Sequence, residues 1–439
     1  MRVAFALYGK VAGIIERTGP RTSLRYLPEY LVQEAPTPLS LSMPIASTTY
    51  MTKPIEAYLR GLLPDNPQVV DRWARKAHVR PGNTLGLIAH YGADMPGGAI
   101  FAREDEIDSL LERPGRLIPA SEADIAQRLR RIRRDGAAWQ EESDAEHWSL
   151  AGAQSKFALA CTAQGWAFAQ GSQPSTHIVK PGIDTIRSQA LIEHVSMRAL
   201  DIVGLPVAHS EYQIFEDQPA IVIRRFDRGV TTSGATIRIH QEDLVQSFAT
   251  DPRRKYESDG GPGVQRISAL LRMTAGEDSV ERFARAVIAN YIIGAPDAHA
   301  KNYGVLLVGP RVSLTPLYDV ATGLVPDANG RLRYPRAAMS IGGERRFGDV
   351  ERRNWERFAR LIQLPPDQVI HWVDELAISI PRAFEQAAID TQAPDSPFLA
   401  GVVAKNIAAV AQQTRRGLST SRRVGGRIVR PFIDDMMTN

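Results

Sequence analysis

The chain nearly lacks cysteine: Cys161 is the single one among 439 residues. This excludes internal disulfide bonds and zinc sites built on cysteine. No run of about 18 apolar residues occurs, so we expect no membrane-spanning helix. The apolar stretch at the start is broken at Gly9-Lys10, too early for a secretory signal peptide. We therefore expect a cytoplasmic protein without a membrane partner.

Motifs of several enzyme classes are missing as well. The 9 histidines include no H-E-x-x-H pair, the motif of helical zinc proteases. No G-x-S-x-G appears, so a hydrolase nucleophile elbow is not indicated. No G-x-G-x-x-G follows a predicted strand and no G-x-x-x-x-G-K-[ST] occurs, so the chain shows neither a dinucleotide fingerprint nor a Walker loop.

Length and charge set broad limits. A chain of 439 residues is expected to form two or three domains. Its 53 basic and 49 acidic residues leave a net charge of +4, too small to indicate nucleic-acid binding alone. Only 8 of the basic residues are lysines, and Lys156, Lys180 and Lys301 fall in the candidate phosphate-binding segments below. Lysine offers phosphate a compact point charge.

Hydrophobic periodicity predicts a chain that is mixed at first and mainly helical beyond Gln241. Residues 3–15 predict a hairpin, residues 36–67 are rich in proline, and loops rich in glycine are expected up to Ala99. Ser121 is a candidate N-cap for an Arg-rich helix over 121–134, and 135–147 is typical of an acidic linker. Further helices are expected near 55–62, 65–78 and 188–202, and strands near 157–160, 166–168, 176–179, 211–215 and 220–223.

The strongest chemical signal is the segment 297–302, Asp-Ala-His-Ala-Lys-Asn. A helix with one apolar face is predicted before it, and Pro296 predicts that this helix ends by Ala295. Residues 303–314 predict a strand, a turn and a returning strand, after which Tyr318-Asp319 follows. Two acids and an asparagine are thus expected around one hairpin.

Phosphoryl transfer from ATP requires such a set. One carboxylate must orient or accept the proton of the attacking hydroxyl, while an asparagine and a second aspartate can hold Mg²⁺. Asp297 and Asn302 have the offset of the aspartate and asparagine in the protein-kinase catalytic loop. Asp319 then stands where the kinase metal aspartate is expected. The alternative is a polar loop that closes a helix–hairpin junction.

Two upstream segments are candidates for contact with phosphates. Residues 149–156, Ser-Leu-Ala-Gly-Ala-Gln-Ser-Lys, are small enough to bring backbone N–H groups close to phosphate oxygens. Lys180 ends the predicted strand at 176–179, as does the lysine of a kinase N-lobe strand, and Glu193 on the next helix could orient it. A plain turn and a surface lysine are the alternatives.

Two more polar segments carry weaker signals. Arg224-Arg225-Phe226-Asp227-Arg228 follows two apolar strands and could present backbone groups to adenine, or could be a basic strand end. Residues 255–263 are dense in glycine and must form a loop, which either approaches a peptide substrate or the ligand or is simply solvated.

Taken in order, these motifs resemble the HipA-like serine/threonine kinase toxins of bacterial toxin–antitoxin pairs. The resemblance covers nearly the whole chain and rests on residues 38–44, 62–67, 149–156, 176–180, 225–228, 255–263, 297–302 and 318–319. It implies an α+β, two-lobed protein-kinase-like fold, with an α/β N-terminal part and a mainly helical C-terminal part. We expect an N-terminal subdomain at 1–110, the remainder of the N-lobe at 111–185 and the C-terminal lobe at 186–439.

The resemblance also implies roles for individual residues. Asp297 is expected to be the catalytic acid/base, with Asn302 and Asp319 as Mg²⁺ ligands and Glu193 in a supporting role. ATP is expected to contact the phosphate loop (Ala151, Gly152, Ala153, Gln154, Ser155 and Lys156), Lys180, the adenine hinge (Arg224, Arg225 and Phe226), and His299, Ala300, Lys301, Asn302, Tyr318 and Asp319. Family members usually carry glutamate where this chain has Arg224, which puts a side-chain contact there in doubt.

Ser149 matches the serine that the family autophosphorylates. A phosphate adds about −1.5 to −2 charge. In a loop that should hold the phosphates of ATP, this charge would repel them, so we expect self-inactivation by ejection of the loop. The alternative is a serine that caps a helix or strand.

Partners follow from the resemblance alone. Family toxins bind a helix-turn-helix antitoxin dimer, the complex represses its operon, and substrates include aminoacyl-tRNA synthetases. The implied location is the cytoplasm, with nucleoid association in the complex. Arg360 stands about where a family DNA contact lies, near Arg345, Arg346, Arg352 and Arg353, although solvated faces are the alternative.

Two other functions stay open. A catalytically silent co-repressor or binding module would be expected to lose at least one of Lys180, Asp297, Asn302 and Asp319, and the chain has all of them. A small-molecule phosphotransferase uses the same pair of acids, but the roughly 140 residues before the phosphate loop favour a macromolecular target.

Overall fold

The structure, a computed structural model, describes residues 1–80, 82–113, 115–140, 147–232, 234–327 and 329–419. The chain has an α+β fold and forms two compact units. The first unit consists of Met1–Ala190, Glu211–Lys255 and Gly304–Thr315, and the second of Leu191–Ser210, Tyr256–Tyr303 and the chain from Pro316 onward. Among the described residues, no helix is both long and apolar enough to cross a membrane.

The first unit begins with an antiparallel sheet. Arg2–Leu7 pairs with Lys10–Thr18 through the turn at Tyr8-Gly9, which confirms the predicted hairpin. The sheet continues on both sides of this hairpin, and its strand order is Tyr50–Met51, Arg21–Tyr26, Lys10–Thr18, Arg2–Leu7 and Ile100–Arg103. Val3, Phe5 and Leu7 are buried in the large core of this unit, while Ala4 and Ala6 face a smaller cluster.

A second, 6-stranded sheet positions the upstream candidate residues. Its order is Ser210–Phe215, Gln218–Arg224, His177–Lys180, Phe157–Thr162, Gly165–Gln170 and Arg116–Pro119. The predicted strands at 157–160, 166–168, 176–179, 211–215 and 220–223 are all confirmed. Arg133 on the predicted Arg-rich helix donates to the carbonyls of Pro181 and Pro219 at 2.6 and 2.8 Å, so that basic helix is tied to the sheet.

The remaining strands of this unit form small sheets. His240–Asp243, Gly304–Val308 and Arg311–Leu314 make a sheet of three, and Arg228–Val230 pairs with Thr236–Arg238. The hairpin predicted over 303–314 is therefore confirmed. Helices of the first unit are Pro28–Leu31, Thr52–Gly61, Pro67–Lys76, Thr84–Tyr91, Ile107–Glu112, Glu122–Arg134 and Leu244–Ser247, with a 3-10 turn at Pro252–Arg254.

Buried side chains of the strand His240–Asp243 form hydrogen bonds with the backbone of the segment 38–44. The ring of His240 donates from Nε2 to the carbonyl of Leu39 at 2.9 Å. Glu242 accepts the N–H of Leu41 at 2.8 Å and the hydroxyl of Ser247 at 2.9 Å, both at Oε1. Its Oε2 has no hydrogen-bond partner within the described part of the chain. Burial raises the pKa of Glu242 to about 7.

The second unit is mainly helical, as predicted. Tyr291, Trp355 and Phe358 stack edge-on in its interior. Arg336–Ile341 and Glu344–Arg346 form its hairpin. Its helices are Gln189–Ile202 (which starts in the first unit), Val264–Ile292, Arg352–Leu361, Pro366–Thr391, Ser396–Phe398 and Ala404–Ser419, with a π-helical turn at Leu399–Val403 and 3-10 turns at Glu257–Asp259 and Ala300–Asn302.

One helix of the first unit was not predicted from the sequence. The glycine-rich stretch before Ala99 contains the helix Thr84–Tyr91, which Asn83 caps by accepting the N–H of Gly86 at 3.2 Å. This helix is buried on nearly all sides, so its sequence has no polar face to reveal a helical period. Ser121 is the predicted N-cap and forms a capping box with Asp124. Residues 141–146 of the predicted linker and the tail from Thr420 lie outside the described residues. The linker prediction is wrong for residues 137–140, because all four are buried and Trp139 lies in the core of the first unit.

Candidate active site

The segment Asp297–Asn302 leaves the helix Val264–Ile292 through a tight C-terminal cap. Gly294 is left-handed (φ 72°), and the N–H of Ala295 bonds to the carbonyl of Asn290 at 2.8 Å. A Cβ on Gly294 would meet Leu324 at 2.4 Å, so glycine is required there for space as well as for conformation. Pro296 follows, and the helix ends before it as predicted.

Hydrogen bonds inside the segment fix Asn302 against Asp297. The side-chain amide of Asn302 donates to the backbone carbonyl of Asp297 at 2.7 Å. The N–H of His299 donates to the same carbonyl at 2.8 Å, and the N–H of Asn302 to the carbonyl of His299 at 2.9 Å. Because the Nδ2 group is engaged, the atom that Asn302 has left for a ligand is the acceptor Oδ1.

The carboxylate of Asp297 is held at one oxygen and open to solvent. The hydroxyl of Tyr256 donates to Oδ1, and Nε2 of His299 lies 3.6 Å from the same atom. The side chain of Asp297 is 58% exposed, whereas that of His299 is 3% exposed. An acceptor hydroxyl can therefore reach this carboxylate.

Tyr318-Asp319 is tied to the same segment. The hydroxyl of Tyr318 donates to the carbonyl of Lys301 at 2.9 Å, and the carbonyl of Leu317 accepts the N–H of Ala208 at 2.8 Å. Asp319 is left-handed, with φ 58°. This conformation is uncommon outside glycine, although aspartate is among the residues that tolerate it. The hydrogen bond of Tyr318 thus ties the residue before Asp319 to Lys301, and the role of Asp319 as a metal ligand stays a prediction.

Asn302 and Asp319 could offer two oxygen ligands. Two protein ligands suit Mg²⁺ better than a metal ion that takes all its ligands from the protein. The described residues contain no group of three or more His, Cys, Asp or Glu side chains arranged for a metal. Magnesium needs fewer protein ligands, because it keeps waters and binds substrate phosphates alongside one or two protein oxygens.

The predicted phosphate loop lies in the first unit and folds on itself. Gly152 has φ 103°, and its carbonyl accepts the N–H of Asp65 at 2.9 Å. Lys156 is buried, donates to the carbonyl of Ala151 at 2.8 Å and lies over the ring of Trp139 at 5.0 Å. The contacts of Lys156 therefore stabilise the conformation of the loop.

The other loop members have separate surroundings. Gln154 donates to the side chain of Gln189 at 3.0 Å, and Ser155 to the carbonyl of Gly136 at 3.0 Å. Ala153 is exposed.

Ser149 precedes this loop and is fully buried. Its hydroxyl donates to the carbonyl of Leu62 at 2.8 Å, and its N–H to the carbonyl of Asp94 at 3.0 Å. A phosphate on this side chain would not fit here, so modification of Ser149 requires that its segment move out.

Lys180 and Glu193 are both buried, each in its own unit. Lys180 ends the strand His177–Lys180, opposite Ile221 of the neighbouring strand. Glu193 lies on the helix Gln189–Ile202 and is 1% exposed. A pair between them stays a prediction.

The three residues of the predicted adenine hinge differ in their burial. Arg224 is exposed at the end of its strand, and Phe226 is half-buried. Arg225 instead is buried: its N–H bonds to the carbonyl of Thr176 at 2.9 Å, and its guanidinium forks onto both oxygens of Asp227 at 2.9 Å. The side chain of Arg225 thus belongs to a buried cluster of ion pairs with Asp227 and Asp94.

Sequence reasoning missed the centre of that cluster, Asp94. It contacts Arg228 at 2.8 Å, Arg238 at 3.4 Å and Arg225 at 3.5 Å, and accepts the hydroxyl of Ser175 at 2.6 Å. Burial by itself would raise the pKa of Asp94, but the arginines outweigh it and hold that pKa far below its usual range. No local pattern marks Asp94, since its partners come from distant parts of the sequence.

Comparison with known proteins finds relatives that match most of the chain. Residues 3–101 match the HipA N-terminal domain and residues 148–384 the HipA-like C-terminal domain. A putative kinase of Sinorhizobium fredii, Y4mE, is 30% identical over 83% of this chain and 87% of its own length. The serine/threonine-protein kinase toxin HipA of Shewanella oneidensis is 27% identical over 81% of this chain and 82% of its own.

A solved structure gives the same fold. Shewanella oneidensis HipA, in its complex with HipB and operator DNA, superimposes with a TM-score of 0.80 at 23% identity, and the match covers 94% of this chain and 97% of that one.

Proposed function

Because the chain belongs to the HipA-like family, we propose that it is a Mg²⁺-ATP-dependent protein serine/threonine kinase that acts as the toxin of a toxin–antitoxin pair. The proposal is supported by the exposed carboxylate of Asp297, by the amide of Asn302 bonded to the Asp297 carbonyl, and by the hydrogen bond of Tyr318, the neighbour of Asp319, to Lys301. Phosphoryl transfer in protein kinases uses this combination: an aspartate at the acceptor hydroxyl, and an asparagine and a second aspartate that hold Mg²⁺.

Each residue then has a role. Asp297 accepts the proton of the attacking serine or threonine hydroxyl, and Asn302 and Asp319 hold Mg²⁺ through oxygen atoms. When bound, Mg²⁺ would neutralise charge that develops on the transferred phosphoryl group. Lys301, His299 and Ala300 shape the segment, while Lys180, with Glu193 in support, and the loop Ala151–Lys156 contact the phosphates of ATP.

Adenine recognition is proposed for the backbone of residues 224–226. The N–H of Arg225 is bonded to the carbonyl of Thr176, so the proposal places the adenine contact on other backbone groups of this stretch. Recognition through the backbone is compatible with arginine at position 224, because no side chain is involved.

We extend the proposal to regulation at Ser149. The serine is buried and bonded to Leu62, so once phosphorylated it cannot return to its place. The charged side chain would keep the loop Ala151–Lys156 displaced and the kinase inactive.

The partners are proposed from the family. The kinase would be neutralised by a dimeric helix-turn-helix antitoxin, with which it represses its operon and is nucleoid-associated within the cytoplasm. Its substrate would be a protein of translation such as an aminoacyl-tRNA synthetase. A catalytically silent co-repressor is the second candidate, and the intact polar set disfavours it.

Transfer of label from γ-³²P-ATP tests the proposal. Purified wild-type chain with Mg²⁺ should label itself, with Ser149 as the expected site. Asp297→Gln and Asp319→Gln should each lower the rate at least ~10²-fold, as losses of a general base or a charge-stabilising group do. Tight ATP binding by the wild-type chain without any transfer would instead support the silent module.

A further inference from the structure

Tyr256 opens the glycine-dense loop 256–263, and its backbone is fixed independently of the catalytic carboxylate. Its carbonyl accepts the N–H of Gly261 at 2.9 Å and that of Asp259 at 3.1 Å. The neighbouring Glu257 accepts the N–H of Ser340 at 2.5 Å. The loop is therefore anchored by its own bonds, and the side chain of Tyr256 extends from a defined point.

That side chain meets Asp297 at one oxygen only. The hydroxyl of Tyr256 donates to Oδ1, and His299 Nε2 lies 3.6 Å from the same oxygen. The rings of Tyr256 and His299 pack edge to face, with centroids 4.8 Å apart and an interplanar angle of 81°. Both contacts converge on Oδ1, and no hydrogen bond to Oδ2 is found within the described part of the chain.

The hydroxyl of Tyr256 could either block Asp297 or orient it, and the exposed fraction of the Asp297 side chain distinguishes the two roles. A tyrosine that blocked the site in place of a substrate would cover the carboxylate, yet the side chain of Asp297 remains 58% exposed. A tyrosine that orients the carboxylate would hold one oxygen and leave the other accessible, and this is the observed arrangement.

We infer that Tyr256 is a positioning residue for phosphoryl transfer: its hydroxyl holds Oδ1 of Asp297 so that Oδ2 faces the acceptor hydroxyl. The inference rests on the proposed kinase function. A carboxylate on a loop rotates about two side-chain bonds, and a hydrogen bond from a fixed donor removes most of that freedom. Orientation of a base toward its proton is worth a substantial part of its catalytic effect.

The substitution Tyr256→Phe tests the inference, because it keeps the ring against His299 and removes only the hydroxyl. Single-turnover transfer from γ-³²P-ATP and Mg²⁺ to the full-length chain is measured across ATP concentrations. We expect the maximal rate to fall ~10-fold, as for a slightly misplaced catalytic group, with the half-saturating ATP concentration unchanged. A residue that merely supported the loop would shift both quantities.

Tyr50→Phe is the matched control. The hydroxyl of Tyr50 donates to the carbonyl of Pro44 at 2.6 Å, in the first unit. This variant loses one comparable hydrogen bond and should transfer phosphate at the wild-type rate. Tyr256→Ala, which also removes the ring from His299, should be slower than Tyr256→Phe.

The possible results distinguish a failure of the positioning role of Tyr256 from a failure of the proposed kinase function. An active wild-type chain whose Tyr256→Phe variant is equally fast overturns the positioning role alone. A faster variant also overturns it and makes the hydroxyl a blocking group, and a parallel loss of rate and ATP affinity assigns the residue to loop support. A wild-type chain that binds ATP and transfers nothing overturns the kinase and the inference together.

Discussion

The side-chain amide of Asn302 donates to the backbone carbonyl of Asp297 at 2.7 Å, so a proposed metal ligand also holds the turn that presents the proposed base. The bond spans the offset that the sequence shares with kinase catalytic loops. This double use explains why asparagine, rather than aspartate, suits position 302: a carboxylate could hold the ion but could not donate to Asp297.

The two uses of Asn302 can be separated by substitution. Asn302→Ala removes both the oxygen ligand and the donor, and should slow transfer at least ~10²-fold. Asn302→Asp keeps an oxygen ligand and loses the donor, so a smaller loss of ~10-fold is expected, with Mg²⁺ dependence close to wild type. Single-turnover rates measured across Mg²⁺ concentrations give both quantities.

Asn406→Ala is the control for this pair, since Asn406 also donates its amide to a backbone carbonyl, that of Leu324, at 2.9 Å. It should leave the rate unchanged. Equal losses in Asn302→Ala and Asn302→Asp, with wild-type Mg²⁺ dependence in both, would remove Asn302 from the metal site.

Ser149→Glu should weaken ATP binding at least ~10-fold, because an ionised side chain cannot stay unpaired in a fully buried position and would displace the adjoining loop. Ser149→Ala should bind ATP normally. It should lose about 1 kcal/mol of unfolding free energy, because the carbonyl of Leu62 loses its donor. Titration of ATP and chemical unfolding measure these effects.

Ser172→Glu is matched to Ser149→Glu. The hydroxyl of Ser172 also donates to a backbone carbonyl, that of Arg113 at 2.7 Å, but in an exposed setting. ATP affinity should stay at the wild-type value. Full affinity in Ser149→Glu would refute the proposed switch.

We expect Glu242 to make the unfolding free energy depend on pH near neutrality. Its folded-state pKa of about 7 lies above its ordinary value of 4.5. The folded state therefore binds the proton more tightly, and stability falls as pH rises from about 4.5 to about 7. Glu242→Gln should reduce the difference in unfolding free energy between pH 5 and pH 8 by about 2–3 kcal/mol.

Chemical unfolding at the two pH values measures this difference. Glu16 is exposed, so the control substitution Glu16→Gln should leave the difference unchanged. An unaltered difference in Glu242→Gln would show that the carboxyl titrates normally. The substitution retains an oxygen to accept the N–H of Leu41, so the segment 38–44 should keep its place.

Features with a short sequence span were predicted well. The hairpins at 3–15 and 303–314, the cap at Ser121 and the helix end before Pro296 each depend on residues within one turn or strand pair. The helix Thr84–Tyr91 was missed because burial on nearly all sides removes the polar period. The division at residues 110 and 185 stays a prediction, as do the roles of the site residues.

The sequence by itself determined which side chains are available, and the order and spacing of Asp297, Asn302 and Asp319 predict phosphoryl transfer. Only the tertiary structure decided how individual side chains are used. Arg225 and Asp94 join a buried cluster, and Tyr256 reaches Asp297 from 41 residues away. The physical reason is that hydrogen bonds and ion pairs depend on distance in space, which chain packing sets and local patterns do not record.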